Sequence, residues 1–169
     1  DAFSGYPIPN SPYGEWAPMD NVYIYGENIQ LGPGGTSTMS ATQVTIGNTV
    51  RRISGMIGRD TSTIIFEEGS VCEHFCSMRS STIKSITLPD CIKELDEMAF
   101  YSCKELESAK LPASLTAIPK SAFELCTSLE SVTIPDGIVV IGEKAFYECK
   151  ALEKITIPHT VSYIDSEAF

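Results

Sequence analysis

The chain has 169 residues, a formal net charge of −10 at pH 7 and a hydrophobic content of 43%. This length and composition indicate one folded domain with a substantial core. The excess of carboxylates repels polyanions, so neither a nucleic acid nor an anionic membrane surface is expected as a partner. No apolar run is long enough to cross a bilayer.

Residues 1–20 are rich in aromatic side chains and proline. A stack of repeats follows them, and the first coil of such a stack needs its apolar face covered, so we predict that this segment is an N-terminal cap. An aromatic platform that binds a glycan is the alternative. The residues in question are Tyr6, Pro7, Pro9, Pro12, Tyr13, Trp16 and Pro18.

Residues 21–82 contain a degenerate form of the repeat. Triplets of an apolar, a variable and an apolar residue predict short strands, because side chains alternate between the two faces of a strand. In this part of the chain the triplets are Val22/Ile24, Val44/Ile46 and Ile64/Phe66. We therefore predict stacked coils here as well.

Cys72, His74 and Cys76 alternate along the same part of the chain. On an extended segment all three would face the same way, and two thiolates with an imidazole suit zinc. The repeat frame, however, turns Cys72 and Phe75 inward, which breaks the alternation, and no fourth ligand lies nearby in the sequence. We predict no metal site and no cofactor.

Residues 83–169 repeat regularly, because Phe100, Phe123, Phe146 and Phe169 lie 23 residues apart. A fixed period of this length predicts stacked coils, each of which buries its apolar side only against a neighbour. The strand triplets are Ile86/Leu88, Ala109/Leu111, Val132/Ile134 and Ile155/Ile157, each followed by proline. Asp96 and Asp165 occupy helix N-cap positions before an Ala-Phe step, which predicts a short helix in each coil.

Cys103, Cys126 and Cys149 occupy one repeat position where a small apolar side chain packs inward. We predict a ladder of buried thiols there. Adjacent coils lie about 5 Å apart, so one disulfide among the three stays an alternative. The chain stops at Phe169, where the next helix should begin, and we expect further coils or another domain to follow.

The unit A-F-x-x-C-x-x-L-x-x-I-x-I-P-x-x-V-x-x-I over residues 99–118, 122–141 and 145–164 resembles the BspA-like leucine-rich repeat family. Residues 66–70 resemble a variant turn of the same family. The resemblance implies an α/β solenoid: a right-handed stack of leucine-rich coils with a parallel β ribbon on one face and short helices on the other. It also implies a secreted or cell-surface bacterial protein that binds host proteins, neighbouring cells or glycans, without a catalytic motif.

The residues themselves offer little chemistry. No motif of a hydrolase, a phosphate-binding loop, a zinc protease or a dinucleotide site is present. Glu107, Glu130 and Glu153 align one step before the strand. Repulsion among three like charges at that spacing is modest in water, so we predict a solvated edge, with a cation site as the alternative.

The outward rows of the strands are the predicted binding surface. They are rich in hydroxyl groups, although threonine also suits exposed strands for conformational reasons alone. The rows continue towards the N-terminus through residues such as Tyr23 and Ile65. The candidate binding residues are Ser85, Thr87, Ser108, Lys110, Ser131, Thr133, Lys154 and Thr156.

These observations lead to one predicted function and two rivals. We predict a non-catalytic repeat protein of the cell surface that binds proteins or glycans in adhesion, because repeat stacking creates an extended recognition surface. The first rival is a structural spacer whose faces bind nothing. The second is a targeting module attached to an enzyme outside this segment.

Overall fold

The computed structural model describes residues 19–30, 41–55, 57, 60–79 and 81–169. The predicted cap at residues 1–20 falls almost wholly outside these ranges. The described residues form thirteen short strands and no helix. The strands are β1 (Met19–Ile24), β2 (Asn28–Gln30), β3 (Ala41–Ile46), β4 (Arg52–Ser54), β5 (Thr63–Phe66), β6 (His74–Phe75), β7 (Ser85–Thr87), β8 (Glu94–Leu95), β9 (Ser108–Lys110), β10 (Ala117–Ile118), β11 (Ser131–Thr133), β12 (Val140–Ile141) and β13 (Tyr163–Ile164).

Strands from successive coils pair in parallel on two sides of the stack. On the first side, β1, β3 and β5 form one sheet, and β7, β9 and β11 form another. On the second side, β2, β4, β6 and β8 form a third sheet, and β10, β12 and β13 a fourth. Since parallel neighbours require the chain to wind fully round between them, these pairings confirm the predicted solenoid.

The register of the strands follows the repeat. Ser108 lies opposite Ser85 on one side and Ser131 on the other, so equivalent positions of three coils form one row. The triplet residues predicted to face inward are buried or half-buried from β1 to β11. Side-chain alternation along each strand then places the intervening residues in solvent, as the sequence predicted, except Thr45, which is buried.

The seventh predicted strand, at Ile155 and Ile157, is not formed. In the preceding coil the N–H of Glu130 donates a hydrogen bond to the carbonyl of Glu107, which starts the pairing of β11 with β9. The equivalent N–H, of Glu153, donates instead to the carbonyl of Ala151 within its own turn. This local bond removes the contact that would bring the segment into the sheet.

The predicted short helices are also wrong, because the third side of the coils consists of turns. Met98 and Ser102 have positive φ, which a right-handed helix does not allow. The N–H groups of Met98, Phe100 and Ser102 donate to carbonyls of the following coil, at Lys120, Ala122 and Glu124. A helix capped by Asp96 would use the N–H groups of Phe100 and Ser102 internally. In the stack, all three donors instead bond one coil to the next.

The two predicted N-caps have other partners. The Oδ1 atom of Asp96 lies 2.8 Å from the Nε2 atom of His74 in the preceding coil. The Oδ1 atom of Asp165 accepts a hydrogen bond from the N–H of the adjacent Ser166. Neither carboxylate caps a helix, because turns follow both of them.

A ladder of aromatic rings runs through the core. The rings of Phe75, Phe100, Phe123, Phe146 and Phe169 stack in that order, with centroids 6.1, 5.1, 5.3 and 5.5 Å apart. The planes of neighbouring rings differ by 2 to 26°, so they stack nearly parallel and offset, a favoured geometry for aromatic pairs. One phenylalanine per coil thus packs against its equivalents in the neighbouring coils.

The predicted thiol ladder is present beside the rings. Each thiol donates a hydrogen bond to a backbone carbonyl of the preceding coil: Cys103 to Met78 at 3.1 Å, Cys126 to Phe100 at 3.0 Å and Cys149 to Phe123 at 3.1 Å. Burial raises the pKa of Cys149 to about 12 and that of Cys126 further still. Cys126 and Cys149 are therefore protonated thiols, and all three cysteines bond neighbouring coils.

Candidate functional site

Six of the eight predicted binding residues form two rows on the first side of the stack. Ser85, Ser108 and Ser131 lie side by side in one row, and Thr87, Lys110 and Thr133 in the next. Ser108 is half-buried and the others are exposed. Parallel strands lie about 4.8 Å apart, so the rows form an array of hydroxyl groups with one central ammonium group.

The last two predicted residues lie apart from this array. Lys154 and Thr156 are exposed, but their segment is not a strand and does not pair with β11. The array therefore spans β7, β9 and β11. We call the solvent side of β1, β3, β5, β7, β9 and β11 the strand face.

The aligned glutamates Glu107, Glu130 and Glu153 are exposed beside the array. Within the described part of the chain, no three His, Cys, Asp or Glu residues are grouped so that they could hold a metal ion. The carboxylates are in water, where like charges at one-coil spacing repel only weakly. They give the edge of the strand face a negative charge.

The N-terminal half of the strand face has a different character. Tyr23 of β1, Thr45 of β3 and Ile65 of β5 lie in one row, as the sequence predicted. Tyr23 and Ile65 are exposed large side chains, whereas Thr45 between them is buried. The exposed side chains of this row are therefore aromatic and aliphatic, unlike those of the row through Thr87, Lys110 and Thr133.

Tyr25 adds a second aromatic ring that the sequence did not single out. Its ring lies parallel to that of Tyr23, with an angle of 4° between the planes and 6.4 Å between the centroids. The ring extends over the adjacent strand, because a Cβ atom added to Gly47 would lie only 2.4 Å from it. In the sequence, this contact was indicated only by the glycine that lies one coil after the tyrosine.

Hydrogen bonds fix the position of Tyr25. Its hydroxyl donates to the Oε1 atom of Glu67 at 2.8 Å, and the Oε2 atom accepts from the N–H of Asn48 at 3.0 Å. The bond to Glu67, with some burial and the charge of that carboxylate, raises the pKa of Tyr25. The tyrosine is therefore a neutral donor at physiological pH.

The Cys72, His74 and Cys76 cluster is structural in its geometry. The Cys72 thiol donates to the backbone carbonyl of His74 at 3.3 Å. Burial raises the pKa of Cys72 to about 11 and raises that of Cys76 as well. Buried protonated thiols are poor metal ligands, because zinc binds the thiolate.

The imidazole of His74 bridges two coils on the second side of the stack. Its Nδ1 atom lies 3.2 Å from the Oε2 atom of Glu94, and its Nε2 atom lies 2.8 Å from Asp96. Arg52 approaches Glu94 from the other direction at 3.9 Å. Arg52, His74 and Glu94 lie in equivalent positions of β4, β6 and β8, and Asp96 follows β8 directly. The cluster is therefore a polar contact between coils.

No helix in the described ranges is long and apolar enough to cross a membrane.

Several solved structures share this architecture. A leucine-rich cell surface protein from Faecalibacterium prausnitzii A2-165 is 23% identical, with a TM-score of 0.66 over 96% of this chain and 49% of the other. A leucine-rich repeat protein from Bacteroides ovatus is 17% identical, with a TM-score of 0.56 over 97% and 54%. The T. pallidum leucine-rich repeat protein is 18% identical, with a TM-score of 0.51 over 80% and 84%.

These similarities establish the fold, and the chain spans about half the length of the first two structures. A search of curated proteins finds no match. The BspA type leucine rich repeat region matches residues 61–169 in six copies. Since those residues are well over half of the sequence, the chain belongs to the BspA-type leucine-rich repeat family.

Proposed function

We propose that this chain is a non-catalytic binding module of a secreted or cell-surface bacterial protein, and that its strand face binds a partner protein in adhesion. The observation that carries the proposal is the pair of in-register polar rows across β7, β9 and β11. Leucine-rich repeat proteins are typically non-catalytic, and one structural relative is a cell surface protein.

The geometry suits an extended, weak contact. Serine and threonine hydroxyls both donate and accept hydrogen bonds, and Lys110 adds three donors at the centre of the array. These groups repeat with the strand spacing, so they match a partner that presents polar groups along a line. The array lacks the buried aromatic and arginine anchors of a strong hot spot, so its own affinity is expected to be weak.

The test is binding of the full chain to a panel of immobilised extracellular-matrix proteins and glycans. A quadruple variant replaces Ser108, Lys110, Ser131 and Thr133 by glutamate. A control variant replaces Lys104, Ala113, Thr116 and Ser162 by glutamate. These four residues are exposed and lie away from the strand face. Both variants change the net charge equally, so a general electrostatic effect would appear in both.

Saturable protein binding that only the strand-face variant loses would support the proposal, provided that both variants keep the parental circular dichroism spectrum. Binding that survives in both variants would place the site elsewhere. Binding to glycans alone would change the class of ligand. If the chain binds nothing in the panel, the spacer function becomes the better interpretation.

A further inference from the structure

The N-terminal half of the strand face carries a patch that the polar array does not explain. We call Tyr23, Tyr25, Thr45 and Ile65 the tyrosine patch. Tyr23, Tyr25 and Ile65 are 46%, 44% and 41% exposed. Large apolar side chains with this exposure, grouped on one face, are typical of interaction sites, and tyrosine is enriched at hot spots.

The patch is held in place before any partner binds. The Tyr25 ring lies against the backbone of Gly47, and its hydroxyl bonds to Glu67. Glu67 is itself fixed by the N–H of Asn48. Because the ring is already ordered, binding to it costs little conformational entropy.

The charges around the patch favour a cation. The outward residues of the sheet formed by β1, β3 and β5 include Asn21, Gln43 and Thr63 beside the patch itself, and none of them is lysine or arginine. The Glu67 carboxylate lies at the edge of the Tyr25 ring, and Asp20 and Glu68 are exposed nearby in the chain. A ring face beside a carboxylate matches a guanidinium group, which stacks on aromatic rings and donates to carboxylates.

We propose that the tyrosine patch anchors an arginine-bearing segment of the partner protein. The guanidinium stacks on a tyrosine ring and donates to Glu67, and the aliphatic part of the arginine side chain lies towards Ile65. This proposal rests on the proposed protein-binding function and names the anchor of the same face. The hydroxyl array then aligns the rest of the partner.

The probe is a fluorescein-labelled peptide with alternating glycine and arginine, titrated with the full chain at low salt and followed by fluorescence anisotropy. Counterparts with lysine, and with uncharged citrulline, have the same length. Tyr23→Ala and Glu67→Gln are expected to weaken arginine-peptide binding by about 3- to 5-fold each, as loss of an exposed cation–π contact or ion pair implies. The control Tyr163→Ala removes an exposed tyrosine of β13 on the second side and should change nothing.

A second variant separates a loss of binding from a loss of folding. Tyr25→Phe retains the ring and loses only the hydroxyl that bonds to Glu67, so it should fold normally and weaken binding less than Tyr23→Ala does. Arginine-peptide binding that exceeds lysine-peptide binding, is absent for citrulline and falls in the patch variants would support the proposal.

Three results would overturn it: no detectable binding of the arginine peptide, equal binding in Tyr23→Ala and the parent, or equal binding of the citrulline peptide. Loss of an oligosaccharide from the glycan panel on Tyr23→Ala, without arginine-peptide binding, would overturn the assignment of a protein partner. If the patch fails while the quadruple strand-face variant still abolishes protein binding, the proposed function stands without this anchor. If the peptide binds while the protein panel gives nothing, the proposed function fails instead.

Discussion

Phe123 lies at the centre of the aromatic ladder, and its replacement by alanine should be far more destabilising than the same change at Phe169. The ring of Phe123 is fully buried and stacks on Phe100 at 5.1 Å and on Phe146 at 5.3 Å. The ring of Phe169 is 52% exposed and has one stacking partner, Phe146 at 5.5 Å. The two sites therefore offer a matched pair of substitutions in one ladder.

The expected cost at each site follows from burial and cavity formation. Truncation of a buried phenylalanine to alanine costs about 3–5 kcal/mol, which includes the cavity and the lost packing. With two stacked neighbours, Phe123→Ala should lie near the top of that range, at about 4–5 kcal/mol. Phe169 loses about half as much apolar burial and lines an open pocket of about 220 Å³, so its truncation should cost about 1–1.5 kcal/mol.

The assay is urea unfolding at 25 °C, followed by far-ultraviolet circular dichroism, for the parent and both variants. Phe123→Leu is the third variant, because it keeps most of the apolar volume but removes both ring pairs and should cost about 1–3 kcal/mol. Equal losses of unfolding free energy at Phe123 and Phe169 would refute the reasoning. So would a cost below about 1 kcal/mol for Phe123→Ala.

Three further outcomes test the packing and the electrostatics. Iodoacetamide at pH 8 should label half-exposed Cys91 well before Cys72, because burial holds the pKa of Cys72 at about 11; peptide mass mapping that shows equal rates would contradict this. Gly47→Ala should cost about 1–3 kcal/mol in urea unfolding through its clash with the Tyr25 ring, and the cost should shrink when Tyr25 is also alanine. The hydrogen bond to Glu67 raises the pKa of Tyr25 above 10.0, so the stability that this bond supplies is complete below pH 10 and is lost as pH rises through the raised value. Ring-labelled NMR titration should find Tyr25 ionising at lower pH in Glu67→Gln than in the parent, and an unchanged titration would show that the bond has no such effect.

Local pattern was enough to predict the stack and much of its core. The 23-residue spacing of Phe100, Phe123 and Phe146 placed the rings in one ladder, because a repeat position recurs at the same place in each coil. The same spacing predicted the thiol ladder and the register of the serine row at Ser108 and Ser131. In each case, equivalent positions of successive coils become neighbours in the stack, whether they face the core or the solvent.

The sequence predicted only part of the tyrosine patch. Tyr23 and Ile65 occupied an outward row in the sequence pattern, but Tyr25 became significant through Gly47 and Glu67, which belong to the next two coils. Their proximity depends on the register between coils, and no local pattern gives the direction in which a side chain leans across a sheet. The polar array, by contrast, follows from simple alternation along the strands.

The helix prediction failed for a related reason. Ala-Phe-x-x-Cys-x-x-Leu has the spacing of a helical face, yet Met98 and Ser102 adopt positive φ so that their N–H groups reach the following coil. The sequence by itself determined the period, the buried residues and the family. Only the tertiary structure decided the path of the backbone on the third side and the position of Tyr25, because hydrogen bonds between coils outweigh local preferences that are worth less than about 1 kcal/mol per residue. It also decided the loss of the strand at Ile155, where the N–H of Glu153 bonds within its own turn and not to the neighbouring coil.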